Sequence, residues 1–132
     1  MSFKTEEDES VALGRIISKL LYLQTQTKIF HWVSKSYGKH KALDELYDEF
    51  VEKNDAIFEV FSGAYDATPT QIVSEVNEYD LNLVNVPTFL KKCQETVIGF
   101  RNEKFVKNTT IDNIFQDLEG KIDNVMYLYK LE

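Results

Sequence analysis

The sequence predicts an all-α fold, four helices packed as a bundle with a long connection between the second and the third. Three observations predict it. Apolar residues recur at steps of three and four in four separate segments. The connections between those segments run short, long, short. The chain of 132 residues is 43% hydrophobic, with nine Phe and seven Tyr, enough to bury a core in a single domain spanning 1–132.

The first helix is expected from Glu6 to about Ser34, where Val11, Ile16, Ile17, Leu20, Leu21, Leu23, Ile29, Phe30 and Trp32 set the pattern. Gln24, Thr27 and His31 continue the line of Ile17 and Leu20, so His31 points inward or toward a partner. "SKSYGK", residues 34–39, is a polar connection containing glycine. A second helix follows from Lys39 or His40 to Ser62, with Leu43, Leu46, Tyr47, Phe50, Val51, Ile57, Phe58 and Phe61 as its stripe and Gly63 as its C-terminal cap. Residues 64–86 have no long amphipathic pattern. "TPTQIVSEV" within them places Pro69 just after Thr68, as at the start of a short helix inside a long crossover. The third helix is expected from Pro87 to Val106, on Phe89, Leu90, Cys93, Val97 and Phe100. The fourth runs from Thr110 to Leu131, on Ile111, Ile114, Phe115, Leu118, Ile122, Val125, Met126 and Tyr129, with Gly120 as its weak point.

Two helices on a short loop, a long crossover and two more on a short loop is the connectivity of a ferritin-like four-helix bundle. An ordinary up-down bundle with a long middle loop has the same helix count and stays open at this level. No repeat or low-complexity segment divides the chain.

A formal charge of −7 repels phosphate backbones, and "MSFKTEEDES" sets three Glu and one Asp against one Lys. Both argue against direct DNA binding. Cys93 is alone, so no intrachain disulfide forms. No apolar run approaches the roughly 20 residues a membrane span needs, and no secretory signal opens the sequence. The expectation is a soluble protein of the reducing cytoplasm with no membrane partner. Walker-type phosphate loops, a nucleophile elbow and paired zinc cysteines are missing.

The segment with chemistry in it is "HKALDELYDEFVEKNDAIFEV", residues 40–60. At about 100° per residue, with His40 at zero, Asp44 falls near 40°, Asp55 near 60°, Asp48 near 80° and Glu59 near 100°. Val51 and Phe58 lie beside them at about 20° and 0°, whereas Glu45 and Glu49 lie at about 140° and 180°, where a solvated face is expected. One histidine and several carboxylates therefore share the shoulder of the apolar stripe. Carboxylates there are either wetted at a subunit interface or held by a cation, because desolvating unpaired charge is expensive. Imidazole and carboxylate together suit iron, manganese or zinc. His31 taken alone is better explained as a hydrogen-bonded core histidine than as a ligand. No Glu-x-x-His occurs, so the intrachain di-iron centre that needs this motif on two helices is not encoded.

These residues resemble a known family, the mini-ferritins called Dps, DNA-binding proteins from starved cells. "KIFHWVSK" is similar to the family's "HxxHW" or "xxxHW" ending, and residues 40–60 are similar to its "LHExFEELYDEAAExxDxIAER". The resemblance extends to about residue 66, and beyond that it is helix pattern only. It implies a metal site of His31, His40, Asp44, Asp55 and Glu59, in which His31 and His40 of one chain face Asp44, Asp55 and Glu59 of a two-fold mate. It implies iron as the metal, di-iron or mononuclear, and a homo-oligomer ranging from a dimer to a dodecameric shell. The implied activity is that of a ferroxidase, which oxidises Fe(II) with peroxide or oxygen, stores it and limits oxidative damage. The alternative is a ferritin-like structural or interaction module, virion-associated if the gene is viral, that keeps the site as a vestige. Trp32 could take up an oxidising equivalent, although burial in core or interface is its expected role. Asp112, Asp117 and Asp123 are expected to be solvated.

Overall fold

The computed structural model describes residues 7–131. Among the described residues the chain forms four α-helices and two short 3-10 turns, with no strand.

Helix α1 spans Glu9–Val33 and begins at Asp8, whose carboxylate accepts the Val11 N–H at 2.9 Å. The expected start at Glu6 lies outside the described residues. Helix α2 spans Tyr37–Tyr65, with Ser36 as its N-cap. It runs through Gly63, the expected stop, and ends at Asp66, which takes the left-handed conformation with φ 49°. Aspartate tolerates that region better than most residues. The extra turn brings Tyr65 against Phe61 and lets its hydroxyl donate to the Phe105 carbonyl at 2.7 Å. Helix α3 spans Val86–Arg101 with Pro87 in its first turn, and α4 spans Thr109–Lys130, capped by the Asn108 side chain. Gly120 is exposed and does not interrupt α4. The third helix is shorter than expected. Its break at Asn102 lets Phe105 fold back edge-on to Phe61 and Tyr65 while Val106 enters the core.

The core is built from Leu13, Ile16, Leu20, Leu43, Leu46, Phe50, Ile57, Phe61, Phe115 and Ile122, all removed from water. Each such side chain contributes about 1.5–3 kcal/mol on burial. Helix α1 packs on α2, α2 on α4, and α4 on α3, while α1 touches α3 more sparsely. The short loop makes α1 and α2 antiparallel. Phe30 meets Phe89 at one end and Arg15 holds Glu103 at the other, so α3 also runs antiparallel to α1 and parallel to α2.

Residues 67–82 account for that direction. They run along α1 in its own sense: the Thr68 N–H donates to Ser10 Oγ at 3.3 Å, the Val73 N–H to Ser18 Oγ at 2.8 Å, and Tyr79 stacks on Tyr22. The Asp80 N–H and carbonyl are both held by the Gln26 amide at 2.8 Å. The segment carries the chain back along about 24 Å of α1. The short helix expected at residues 68–76 does not form, and a 3-10 turn at Leu83–Asn85 is the connection's only helical element. The physical reason is competition for donors: the Val73 N–H that a helix would use internally is spent on Ser18. Gly14 makes the close approach feasible, because a Cβ there would collide with the Gln71 carbonyl.

Candidate metal centre

Only three residues, Ser34, Lys35 and Ser36, separate α1 from α2, so the last turn of one lies beside the first turn of the other. His31 and His40 meet there. Their rings stack with centroids 3.8 Å apart and planes inclined by 27°. His31 Nδ1 lies 2.8 Å from the His40 carbonyl oxygen, and His40 Nδ1 lies 2.7 Å from the His31 carbonyl oxygen. A carbonyl oxygen only accepts, so each Nδ1 carries the proton and donates it. In the neutral rings each Nε2 then keeps its lone pair. This is the orientation in which metal-ligating histidines are commonly held, the second nitrogen anchored to a carbonyl and the first free to coordinate.

Asp44 lies one turn along α2 from His40. Its Oδ1 is 3.6 Å from His31 Nε2 and 3.6 Å from Lys28 Nζ, both beyond a hydrogen bond. The Lys28 ammonium also rests 4.4 Å from the centroid of the Tyr47 ring. His31 is buried and His40 and Asp44 are half-buried.

Asp55 and Glu59 are exposed on the same helix, about 16 and 22 Å farther along its axis than Asp44. One chain therefore sets Asp44, which the resemblance assigned to the two-fold mate, beside its own His31, while Asp55 and Glu59 stand far from both histidines. Among the described residues no three His, Cys, Asp or Glu side chains of one chain converge as a ready metal-binding group. Asp48 is exposed beside the stripe.

Glu45 and Glu49 differ from expectation. Glu45 faces α4 and pairs with Lys121 there at 3.0 Å, and Glu49 pairs along α2 itself with Lys53 at 3.6 Å, whose ammonium also reaches Asp117 of α4 at 3.8 Å. Sequence periodicity sets them opposite the apolar stripe, but α2 is flanked by two helices, and α4 presents Lys121 and Asp117 on that side. Of the other acids on α4, Asp112 binds Arg101 and Asp123 accepts from Gln94.

Beside Asp55 the outer side of α1 and α2 forms a groove of about 430 Å³ with Leu21, Val51, Phe58 and Asn54 in its lining. Leu21 and Val51, expected in the stripe, are exposed. Asn54 is buried; its Nδ2 donates to the Leu20 carbonyl at 3.3 Å and Gln24 Oε1 at 2.9 Å, while its Oδ1 has no protein partner. Trp32, expected in core or interface, is 66% exposed in the chain.

A family model described as a family of unknown function (DUF5856) matches residues 31–129, three quarters of the chain. The chain belongs to that family. The match opens on His31, so it spans His31, His40, Asp44, Asp55 and Glu59 and excludes most of α1, Lys28 included. No curated protein and no solved structure matches the chain.

Sequence reading did not single out Lys28 or Asn54. Lys28 stands three residues before His31 and so shares its face, a spacing that was legible. Its partners, Asp44 and Tyr47, come from the other helix and were not.

Proposed function

We propose that this chain is a Dps-like mini-ferritin with a ferritin-like bundle, which takes ferrous ions as substrate at a site shared between two copies, oxidises them and sequesters the product. The observation that carries the reading is the reciprocal histidine pair: two rings fixed with both Nε2 lone pairs available, next to a carboxylate. This donor set fits Fe(II) among divalent ions. The lengthwise course of residues 67–82, which returns the chain to the end of the bundle where α1 finishes, supports the ferritin-like crossover.

Asp55 and Glu59 are too far from the histidines to serve the same ion within one chain, and they stand on the exposed side of α2. The surface is also polarised. Lys35 and Lys41 are exposed where α2 begins, and Glu52, Asp55 and Glu59 are exposed farther along, with Leu21 and Val51 beside the acids. A pattern basic at one end and acidic at the other complements itself under a two-fold axis across the helices. In that arrangement His31 and His40 of one copy supply neutral nitrogen ligands, Asp55 and Glu59 of the other supply anionic ones, and Asp44 holds a weaker second ion. Two ferrous ions each give up one electron; one hydrogen peroxide takes both electrons and two protons and leaves as two waters. The chain's own contribution is to hold the ions near each other and balance the charge they gain. A dodecameric shell would store the ferric product and limit oxidative damage.

The test is Fe(II) oxidation followed by ultraviolet absorbance after peroxide addition, comparing wild type with the Asp55→Ala, Glu59→Ala double variant. The expected result is a large loss of rate in the variant. Equal traces overturn the reading.

One observation favours a second reading. Lys28 already balances the Asp44 charge without any metal, as a bundle kept for assembly with a vestigial site would need. Metal analysis of purified protein separates the two, because a tightly held stoichiometric metal contradicts the vestigial reading.

A further inference from the structure

Lys28 is a basic residue placed where a cation is meant to bind. Its Nζ lies 3.6 Å from Asp44 Oδ1, the oxygen that is also 3.6 Å from His31 Nε2. Asp44 Oδ1 is thus flanked by two nitrogens and hydrogen-bonded to neither. Lys121 on Glu45 closes to 3.0 Å, whereas Lys28 stays at the distance of a loose ion pair. Lys28 instead divides its interaction between Asp44 and the face of Tyr47, 4.4 Å from the ring centroid. An ammonium over an aromatic face keeps part of its stabilisation when its anion is taken away.

From this geometry we infer that Lys28 is a tethered counter-cation that competes with divalent metal for Asp44, and that metal entry shifts its ammonium onto Tyr47. The inference rests on the proposed metal-binding reading and adds a residue that sets the affinity of the site. Lys28 keeps Asp44 charge-balanced while the site waits, and it imposes a threshold on loading, because a divalent ion has to offset the loss of one contact and the repulsion of a nearby positive charge. Tyr47 limits that loss by receiving the ammonium. Lys28 lies on α1 and Asp44 and Tyr47 on α2, so the competition also depends on the two helices keeping their register, which Asn54 fixes farther along through Leu20 and Gln24.

The experiment is calorimetric titration with Co(II), a redox-inert probe under these conditions, whose visible spectrum independently reports nitrogen and oxygen ligation. Wild type, Lys28→Met, Tyr47→Leu and Lys107→Met are compared, with thermal melting of each metal-free variant as the control for folding. Lys28→Met retains the apolar stem over Tyr47 and should bind Co(II) roughly tenfold tighter, a modest effect for a unit charge removed a few ångströms from a bound cation. Tyr47→Leu should bind more weakly than wild type, because the displaced ammonium loses its seat. Lys107→Met makes the same change of net charge at an exposed position before α4, at the other end of the bundle, and should bind as wild type does. Equal affinity in wild type and Lys28→Met, or an equal gain in Lys107→Met, overturns the inference while leaving the metal-binding reading standing. Absence of Co(II) binding in every variant, Lys28→Met included, overturns both.

Discussion

At the scale of single residues, the histidine pair is held by reciprocity. Each ring donates to the carbonyl beside the other and stacks on it, so removing either ring takes away one hydrogen bond outright and loosens the second. His31→Ala and His40→Ala should each cost about 1–2 kcal/mol of stability. The double variant should fall short of their sum by roughly 0.5–1 kcal/mol, the coupling expected of residues in direct contact. Denaturant melts of the four proteins in the cycle measure it, and strict additivity would mean that the two rings do not support each other. His31 had been legible as an inward-facing residue from its line with Ile17 and Leu20. The stacking was not, because it depends on the angle at which two helices leave a three-residue loop. Cys93 is fully buried, and that burial pushes its thiol well above the usual range, which leaves it inert at neutral pH.

At the scale of elements, the connection over α1 is the least predictable part of the chain and depends on a bare α-carbon. Gly14→Ala gains about 1 kcal/mol of helix propensity but drives a methyl group into the Gln71 carbonyl. The backbone of residues 69–73 has to lift, so the expected outcome is net destabilisation of about 1–3 kcal/mol. Faster amide exchange at Val73, as its bond to Ser18 opens, would place the damage; an unchanged or raised melting temperature would show that the connection yields freely. A second element-level contact ties the end of α3 to the start of α4. The Arg101 guanidinium donates to Asp112 at 2.8 Å and, with help from Gln116, holds that carboxyl below its ordinary value of 3.8. A lowered folded-state value stabilises the fold above the ordinary aspartate range. The contribution is lost as pH falls below about 3.8 through the lowered value. Arg101→Met should therefore reduce stability at neutral pH and flatten its loss in acid, read from melting temperatures between pH 7 and pH 2. A parallel shift of both curves at all pH values would contradict this.

At the scale of the whole molecule, the proposed site does not exist until two copies meet, and this makes complementation decisive. A His31→Ala, His40→Ala chain and an Asp55→Ala, Glu59→Ala chain should each be inactive alone. Refolded together, a two-fold mixed dimer has one site lacking both halves and one site with both intact. Random pairing then restores about a quarter of the wild-type sites. Recovery of Fe(II) oxidation near that level supports sharing between chains, and no recovery on mixing argues against it. Sedimentation of Val51→Glu offers an independent reading: a charge in the apolar middle of the outer α1 and α2 surface should shift the protein toward monomer without unfolding it, since Val51 is exposed in the chain.

What the sequence by itself determined about this protein follows from local rules. The four helices, most of their buried stripes and the shoulder line of His40, Asp44, Asp55 and Glu59 follow from periodicity and short-range hydrogen bonding. Those interactions act over three or four residues and are written in order along the chain. Only the tertiary structure decided which groups meet across helices. It put His31 on His40 with both Nδ1 protons committed, set Lys28 between Asp44 and Tyr47, turned Glu45 toward Lys121 on α4, and stretched residues 68–82 along α1 instead of coiling them. Each of these outcomes turns on a partner far away in sequence, whose nearness is set by how two helices pack and by nothing that either helix specifies alone.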